Sequence, residues 1–208
     1  MPLYSRCTDK TKHMAEGGNS MEQATESLAA QMIQGDIQAF DQLMERFYQK
    51  LLRMAYLISG SYADSEDIVQ ETFVICWANR GRIRDPKHFS SWLYKTMTRE
   101  AWRYCKKSRR EQPMEEVFGE QEPGGSSLLE EVVARSRDQE LYEAIKKLPV
   151  KQRTAVILYY FNELSTKEAA AVMGCLEGTV KSRLYTAREY LKKELSGSIA
   201  TSGKEAAI

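Results

Sequence analysis

The chain has 208 residues, of which 42% are hydrophobic, so it can bury the core of one ordinary domain or of two small ones and differs from a disordered chain. Its formal net charge is only +1, but residues 80–110 hold 11 Lys or Arg against 2 Asp or Glu, and residues 111–140 hold 9 Asp or Glu against 2 Arg. The basic block can neutralise nucleic-acid phosphates, and the acidic block beside it indicates a segment with a different role.

The cysteines are scattered and form no metal-binding pair: Cys7, Cys76, Cys105 and Cys175. With only two histidines to join them, the sequence predicts reduced thiols and neither a metal nor another cofactor. No apolar run approaches the roughly 18 residues that span a membrane, and the N-terminus lacks the apolar core of a signal peptide. We therefore expect a cytoplasmic protein.

The first half of the chain is predicted to be a helical domain over residues 21–110, after a disordered leader over residues 1–20. Apolar residues recur at helical spacing from Leu28 to Ile58, and glycines interrupt the pattern near residues 35 and 60. A new helix is expected to begin at Asp64, whose side chain can cap it. Its predicted buried stripe comprises Val69, Phe73, Cys76 and Trp77.

A loop follows at residues 80–88, because Gly81 and Pro86 interrupt the helical pattern. The next amphipathic helix is expected to begin near Phe89 and to run into the basic cluster at residues 106–110. We interpret Trp92 as a core residue, since it shares the apolar stripe. Tyr94 and Trp102 are predicted to be partly exposed, where they can stack on nucleic-acid bases.

Residues 111–137 are predicted to be a flexible acidic linker, because they combine acidic residues with Pro113, Pro123 and the pair Gly124–Gly125. A second helical domain is expected over residues 138–195, followed by a disordered tail over residues 196–208. We find no internal repeat and no strand alternation. The predicted fold class is all-α, with two small helical domains joined by the linker.

The second domain contains the pattern of a helix-turn-helix. A short Ala-rich helix after Ser165 stops at Gly174, which permits the left-handed residue of the turn. The next helix has an apolar stripe of Val180, Leu184, Ala187 and Leu191, which leaves basic and hydroxyl side chains on its other face. From composition alone, that face is either a reader of the DNA major groove or an ordinary solvated surface.

Several short motifs in the second domain are similar to those of a known family. The pairs Leu148–Pro149 and Leu164–Ser165, the string Gly-Thr-Val-Lys-Ser-Arg at residues 178–183 and Ala187–Arg188 closely resemble region 4 of extracytoplasmic-function (ECF) sigma factors. In that family, region 4 reads the −35 promoter element. The resemblance implies that the DNA-facing residues are Lys181, Ser182, Arg183, Thr186 and Arg188.

Residues 35–40 and 63–73 are similar to sigma region 2, which binds the clamp helices of the largest subunit of core RNA polymerase. The resemblance implies that Asp67, Gln70 and Glu71 contact polymerase. The following loop and helix resemble the element that captures and melts −10 promoter DNA. The implied −10 contacts are Arg80, Arg82, Arg84, Lys87, His88, Lys95, Arg99, Trp102, Arg103 and Lys106.

Residues 96–99 depart from the family's usual Ile-Ala-Arg-Asn pattern, so no −10 sequence preference is inferred. The short linker, in place of a further folded domain, favours the ECF type. The predicted function is that of an alternative sigma factor, which binds core polymerase and directs promoter-specific initiation, with an anti-sigma factor as a further partner and no membrane contact of its own. The alternative is a helix-turn-helix regulator that does not dock on polymerase.

An enzyme is not expected. The sequence has no phosphate-binding loop ending in Gly-Lys-Ser/Thr, no histidine-rich ligand set and no plausible Ser/His/Asp arrangement.

Overall fold

The computed structural model describes the backbone of residues 15–111 and 136–205, and the side chains of residues 21–108 and 140–196. All regular structure in these ranges is helical, which confirms the predicted all-α class. The α-helices are α1 Ala15–Ile33, α2 Ile37–Ser59, α3 Tyr62–Ala78, α4 Phe89–Glu111, α5 Ser136–Lys147, α6 Val150–Val156, α7 Thr166–Met173 and α8 Glu177–Glu205. Two 3-10 turns, Arg80–Arg82 and Pro86–His88, connect α3 to α4, and a π-helical turn, Ile157–Phe161, extends α6. Most of the predicted linker, residues 112–135, lies outside the described residues.

Helix α2 is the centre of the N-terminal bundle and packs against α1, α3 and α4. The Asp36 carboxylate caps it by accepting hydrogen bonds from the backbone N–H groups of Gln38 and Ala39, at 2.8 and 3.1 Å. Gly60 ends it at φ +80°, the left-handed conformation that glycine adopts without steric cost. The buried side chains of α2 include Leu43, Phe47, Leu51, Met54 and Ile58.

Helix α3 begins earlier than the sequence predicts. Its N-cap is Ser61, whose hydroxyl accepts a hydrogen bond from the backbone N–H of Asp64 at 3.3 Å. Asp64 lies in the first turn, so the prediction that its side chain caps the helix is wrong. The extended backbone of Ser61 places its hydroxyl within hydrogen-bonding distance of the free N–H groups at the start of the helix, so Ser61 caps the helix in place of Asp64. The Asp64 carboxylate is left to interact with the positive end of the helix dipole.

Helices α7 and α8 form the helix-turn-helix. Ser165 and Glu168 form a reciprocal capping box at the start of α7, and Gly174 ends that helix at φ +64°. Val180, Leu184 and Ala187 are buried, as their spacing on α8 predicts, and Leu191 is half-buried. The buried stripe fixes which face of α8 is turned outwards.

Both outer boundaries differ from the predicted ones. Helix α1 begins at Ala15, inside the segment predicted to be a disordered leader, and α8 continues to Glu205, inside the predicted disordered tail. Elongating an existing helix costs far less than nucleating a new one, so both helices can extend beyond the residues at which the sequence pattern predicted their ends.

The two halves of the chain, which the sequence predicts only to be tethered, are in contact. Helix α4 packs on α7, and α2 packs on α6. Buried side chains of both halves, among them Ile58, Leu93, Ile157 and Ala169, belong to one continuous apolar core. The second half therefore sits on the end of the N-terminal bundle formed by α2 and α4.

Candidate nucleic-acid interface

The outer face of α8 carries the residues predicted to contact −35 DNA. Lys181, Ser182, Thr186 and Arg188 are exposed, and Arg183 is half-buried. The hydroxyl of Thr186 donates to the carbonyl of Ser182 at 3.1 Å, within the helix. Because the opposite face of α8 is buried against the rest of the domain, these side chains point together towards solvent. A helix presented in this way fits the major groove.

Two members of this set, Lys181 and Arg183, contact side chains outside the predicted DNA-facing set. The Lys181 ammonium lies 2.8 Å from the carboxylate of Glu177, one turn earlier, and that carboxylate also accepts a hydrogen bond from Thr166 on α7 at 2.7 Å. The Arg183 guanidinium donates to the sulfur of Cys175 at 3.6 Å. Glu177 and Cys175 therefore orient two of the predicted DNA contacts, and sequence reasoning assigned them no such role.

Two large apolar residues are also exposed beside this face. Leu176 precedes α8 and Tyr185 lies on it, with exposed fractions of 79% and 64%. Apolar side chains on a reading helix can contact the methyl group of thymine. Neither residue belongs to the predicted set of DNA contacts, although the sequence pattern already placed Tyr185 off the buried stripe of α8.

Helix α4 carries the basic face predicted to bind −10 DNA. Lys95, Arg99 and Arg103 follow each other at four-residue spacing and therefore share one side of the helix, which Lys106 extends. Arg99, Arg103 and Lys106 are exposed, and Lys95 is partly exposed. The repeated charge forms a stripe suited to a phosphate backbone.

The connection between α3 and α4 orients further cations. Ile83 is buried and anchors this connection, while Arg82, Arg84, Lys87 and His88 are exposed. The Asp85 side chain accepts a hydrogen bond from the backbone N–H of Lys87 at 3.0 Å. Arg80 instead interacts with a residue of its own domain. Its guanidinium donates to the carbonyl of Trp77 at 2.8 Å and lies 4.3 Å from the centroid of the Trp77 ring. Arg80 is thus less available to DNA than its neighbours.

The aromatic residues of α4 are placed differently from one another. Tyr94, predicted to be partly exposed, is buried against Phe47 with a ring-centroid distance of 6.1 Å, so that prediction is wrong. It follows Leu93 on the turn of the helix that faces the bundle. Trp92 is half-buried and packs against the core, in agreement with its interpretation. Trp102 is partly exposed as predicted, and its indole N–H donates to the hydroxyl of Thr154 at 3.0 Å.

The predicted polymerase-binding residues lie on the outer face of α3. Asp67 and Gln70 are exposed and Glu71 is partly exposed, whereas Val69, Phe73 and Cys76 are buried on the inner face. The pKa of Tyr104 on α4 is raised by burial and by the nearby negative charges of Asp67, Glu71 and Asp64. The acidic face of α3 therefore lies beside the C-terminal part of the basic stripe of α4, near Arg103.

An apolar groove beside this face was not predicted. It has a volume of about 890 Å³ between α2 and α3, and Gln70 lies on its rim. Its apolar lining consists of Phe40, Met44, Tyr48, Phe73, Val74, Trp77 and Ala78. Phe40, Met44 and Tyr48 follow each other at four-residue spacing, which was the available signal, but the sequence did not show which helix faces them.

The comparisons with known proteins agree with this architecture. The family described as Sigma-70 region 2 matches residues 43–111, and the family described as Sigma-70, region 4 matches residues 138–191. The chain is 29% identical over 187 residues to the ECF RNA polymerase sigma factor SigW of Bacillus subtilis, covering 84% of this chain and 98% of SigW. It is 30% identical over 180 residues to the ECF RNA polymerase sigma factor SigM of Mycobacterium tuberculosis, covering 86% of this chain and 88% of SigM.

Two solved structures share the fold. CnrH in complex with the cytosolic domain of CnrY has a TM-score of 0.64 at 26% identity, over 84% of this chain and 98% of CnrH. The sigma factor RpoE from Bartonella quintana, in complex with the anti-sigma factor NepR, has a TM-score of 0.60 at 28% identity, over 77% of this chain and 98% of RpoE.

The chain thus belongs to the sigma-70 family of RNA polymerase sigma factors. Within that family it is a member of the ECF group, and it is an alternative sigma factor for promoter-specific transcription. None of the helices in the described part of the chain is both long and apolar enough to cross a lipid bilayer.

Proposed function

We propose that the chain docks on core RNA polymerase through the outer face of α3 and holds promoter DNA with α4 and α8. The observation that supports docking best is the exposed set of Asp67, Gln70 and Glu71 beside an open apolar groove. A rim of polar groups around an apolar centre is the usual anatomy of a protein interface. Residues 21–110 would act as the docking and −10 domain, and residues 138–195 as the −35 domain, joined by residues 111–137.

On the DNA side, the proposal assigns two tasks to two helices. The exposed cations of α4 and of the preceding turns would hold the melted −10 strand, because unstacking a base costs a few kcal/mol that backbone and stacking contacts must offset. The outer face of α8 would lie in the major groove of the −35 element. Trp102 would stack on an unpaired base when it is released from Thr154.

The proposed mechanism involves no chemistry by this chain and takes place in the cytoplasm. An anti-sigma factor is proposed as a further partner, since RpoE of Bartonella quintana was solved in complex with the anti-sigma factor NepR. A protein that covered the α3 face or the apolar groove would compete directly with polymerase.

The test is promoter-dependent transcription with purified core polymerase on genomic fragments, because the promoter sequence is unknown. The intact chain should produce discrete transcripts, and Gln70→Ala/Glu71→Ala should reduce both the transcripts and co-elution with core polymerase. Gln31→Ala/Gln34→Ala, on exposed positions at the end of α1, is the matched control and should leave both unchanged. If the intact chain neither co-elutes with polymerase nor produces transcripts, the helix-turn-helix regulator becomes the better description.

A further inference from the structure

Helix α2 carries a row of cations that lies outside the site described above. Arg46, Lys50 and Arg53 follow each other at four- and three-residue spacing, so they share one side of the helix, and all three are exposed. The residue before this row, Glu45, instead lines the apolar groove between α2 and α3. Helix α2 therefore keeps its groove on one side and its cations on another.

The first cation of the row is engaged within the protein. The Arg46 guanidinium donates to the Thr25 hydroxyl at 2.8 Å and to the Met21 carbonyl at 3.4 Å, both on α1. These contacts hold α1 against α2. Lys50 and Arg53 differ from it, because neither is paired with a carboxylate in the part of the chain that the structure describes. These two residues, the α2 cation pair, are therefore available to a negatively charged ligand.

Lys50 lies against the helix that carries the proposed −10 face. Its ammonium is 5.2 Å from the centroid of the Tyr94 ring on α4. Tyr94 is buried, so the contact places the ammonium over the edge of the bundle at the surface of α4. The next residue, Lys95, is the first cation of the basic stripe of α4. The two rows of charge thus approach each other at this point.

Helices α2 and α4 run side by side in the same direction. Near their beginnings Phe47 packs on Tyr94, with ring centroids 6.1 Å apart, and near their ends the Cys105 thiol donates to the Ile58 carbonyl at 3.6 Å. Arg53 is midway between Phe47 and Ile58, so it lies at the level of the middle of α4. The α2 cation pair therefore accompanies the basic stripe of α4 along its first half.

The chemistry of this pair suits phosphate groups. Side chains three residues apart on a helix have Cβ atoms about 5–6 Å apart, close enough to bind successive phosphates of one strand. The guanidinium of Arg53 can bind two phosphate oxygens at once, and the ammonium of Lys50 acts as a point charge. Proteins that hold single-stranded DNA use a positively charged groove that follows its backbone. The stripe of α4 alone supplies one wall of such a groove.

We infer that Lys50 and Arg53 bind phosphates of the melted promoter strand, so that this strand is held between α2 and α4. The inference rests on the proposed function, since that function assigns the melted strand to α4. It adds a helix to the nucleic-acid interface that the sequence motifs did not assign to DNA. It also separates the roles of the three cations of α2, because Arg46 positions α1 and the other two contact DNA.

The experiment measures salt-dependent binding of the reconstituted holoenzyme to a promoter fragment whose −10 segment is left unpaired. The fragment is one recovered by genomic transcription. Lys50→Gln/Arg53→Gln should lower the slope of log affinity against log salt concentration by about 1.4, since each phosphate contact to a single strand contributes about 0.7. Lys50→Arg/Arg53→Lys is the matched control, because it exchanges the same two side chains but keeps both charges, and it should retain the slope of the unmodified chain.

Arg46→Gln tests whether the effect belongs to the pair or to the charge of the whole helix. It removes a cation one turn before Lys50 whose guanidinium is already bound to α1, so the slope should stay unchanged. An unchanged slope in Lys50→Gln/Arg53→Gln would overturn the inference. A decrease of about 0.7 in Arg46→Gln would also overturn it, because the loss would then follow net charge and not the proposed contacts.

Binding to core polymerase separates this inference from the proposed function. All variants should bind core polymerase equally, since the α2 cation pair lies outside the α3 face and the groove. Normal transcription with an unchanged slope in the glutamine pair would leave the sigma-factor proposal standing and remove this contact. If the unmodified chain forms no holoenzyme, the proposed function fails, and a single-stranded oligonucleotide with the polymerase-free chain decides the inference. A lower slope in the glutamine pair would then support it, and equal slopes or no binding would overturn it.

Discussion

The guanidinium of Arg103 lies 2.5 Å from the carboxylate of Glu100, one turn earlier on α4, and 4.0 Å from the carboxylate of Glu71 on α3. Arg103 therefore connects the proposed polymerase-binding face to the proposed −10 face. Its charge is partly compensated within the protein, whereas Arg99, one turn earlier, is exposed on the same basic stripe.

This difference predicts unequal roles in DNA binding. Arg99→Ala should lower the slope of log affinity against log salt concentration by about 0.7–0.9, the value for one lost phosphate contact. Arg103→Ala should lower it by less, because compensation by Glu100 and Glu71 weakens its interaction with phosphate. The measurement is salt-dependent binding of the reconstituted holoenzyme to a promoter fragment. A larger loss with Arg103→Ala than with Arg99→Ala would show that the guanidinium leaves its carboxylates when DNA binds.

The interactions of Glu177 predict how the stability of the chain depends on pH. Its interactions with the Lys181 ammonium, first, and with the Thr166 hydroxyl hold the pKa of this carboxyl below its ordinary value of 4.5. Because the pKa is lower in the folded than in the unfolded chain, the stabilisation is fully present above the unfolded value. It is lost as the pH falls through the folded pKa. The unmodified chain should therefore lose more stability than Glu177→Gln when acidified from about pH 5 to pH 3.

Urea unfolding at several pH values measures this effect. Glu189→Gln, on an exposed position of the same helix, is the control and should follow the acid dependence of the unmodified chain. A parallel loss of stability in Glu177→Gln and in the unmodified chain would show that the ion pair does not persist in solution.

Sequence predictions that depend on neighbouring residues were correct, whereas those that depend on contacts with other helices were not. The buried stripe of α8 and the short helix between Ser165 and Gly174 depend on helical periodicity and on neighbouring residues, and both predictions were confirmed. Asp64 and Ser61 are both acceptable caps, and only the observed backbone turn after Gly60 selects Ser61. Tyr94 was misplaced because its burial depends on Phe47, a residue on another helix.

The parts of the site that were not predicted depend on contacts between distant segments. The apolar groove exists because Phe40 of α2 lies beside Trp77 of α3, with ring centroids 5.1 Å apart. The Trp102–Thr154 hydrogen bond joins residues of different halves. Composition and spacing identify Phe40, Trp77 and Trp102 as aromatic residues of helices, but they carry no information about which residues pair across the fold.

The capping box of α7 predicts a measurable loss of stability. Ser165→Ala removes the hydroxyl that accepts from the N–H of Glu168 and should lower the free energy of unfolding by about 1 kcal/mol. Ser165→Asp, which keeps an acceptor at the N-cap, should retain most of the stability, although its carboxylate lies near that of Glu168. Urea denaturation checks both variants, and an equal loss with alanine and aspartate would argue against a capping role.

A substitution in the apolar groove is expected to weaken binding to core polymerase without changing the stability of the fold. Val74 lines the groove and has an exposed fraction of 62%, equal to that of Ile37 at the start of α2, outside the groove. Val74→Asn should weaken binding to core polymerase about tenfold, or ~1.4 kcal/mol, since burying a valine contributes about 1.5 kcal/mol or more.

Ile37→Asn is the matched control, because it exchanges the same chemistry at an equally exposed position. Both substitutions should change the free energy of unfolding by less than about 0.5 kcal/mol, as is usual for exposed sites. Competition binding to fluorescently labelled core polymerase measures the difference. Equal affinities for the two variants would place the polymerase contact away from the groove.

The reactivity of the cysteine thiols tests whether the interior of the N-terminal bundle is closed to reagents in solution. Burial raises the pKa of Cys76 to about 12, so at neutral pH its thiol is both protonated and shielded, whereas Cys105 and Cys175 are half-buried. In a titration with a disulfide reagent, Cys76→Ala and the unmodified chain should release the same number of chromophores while folded. After denaturation, Cys76→Ala should release one fewer. A deficit in the folded variant as well would mean that the α2–α3 interface opens at rates that admit the reagent, and that the buried stripe of α3 is less stable than its packing implies.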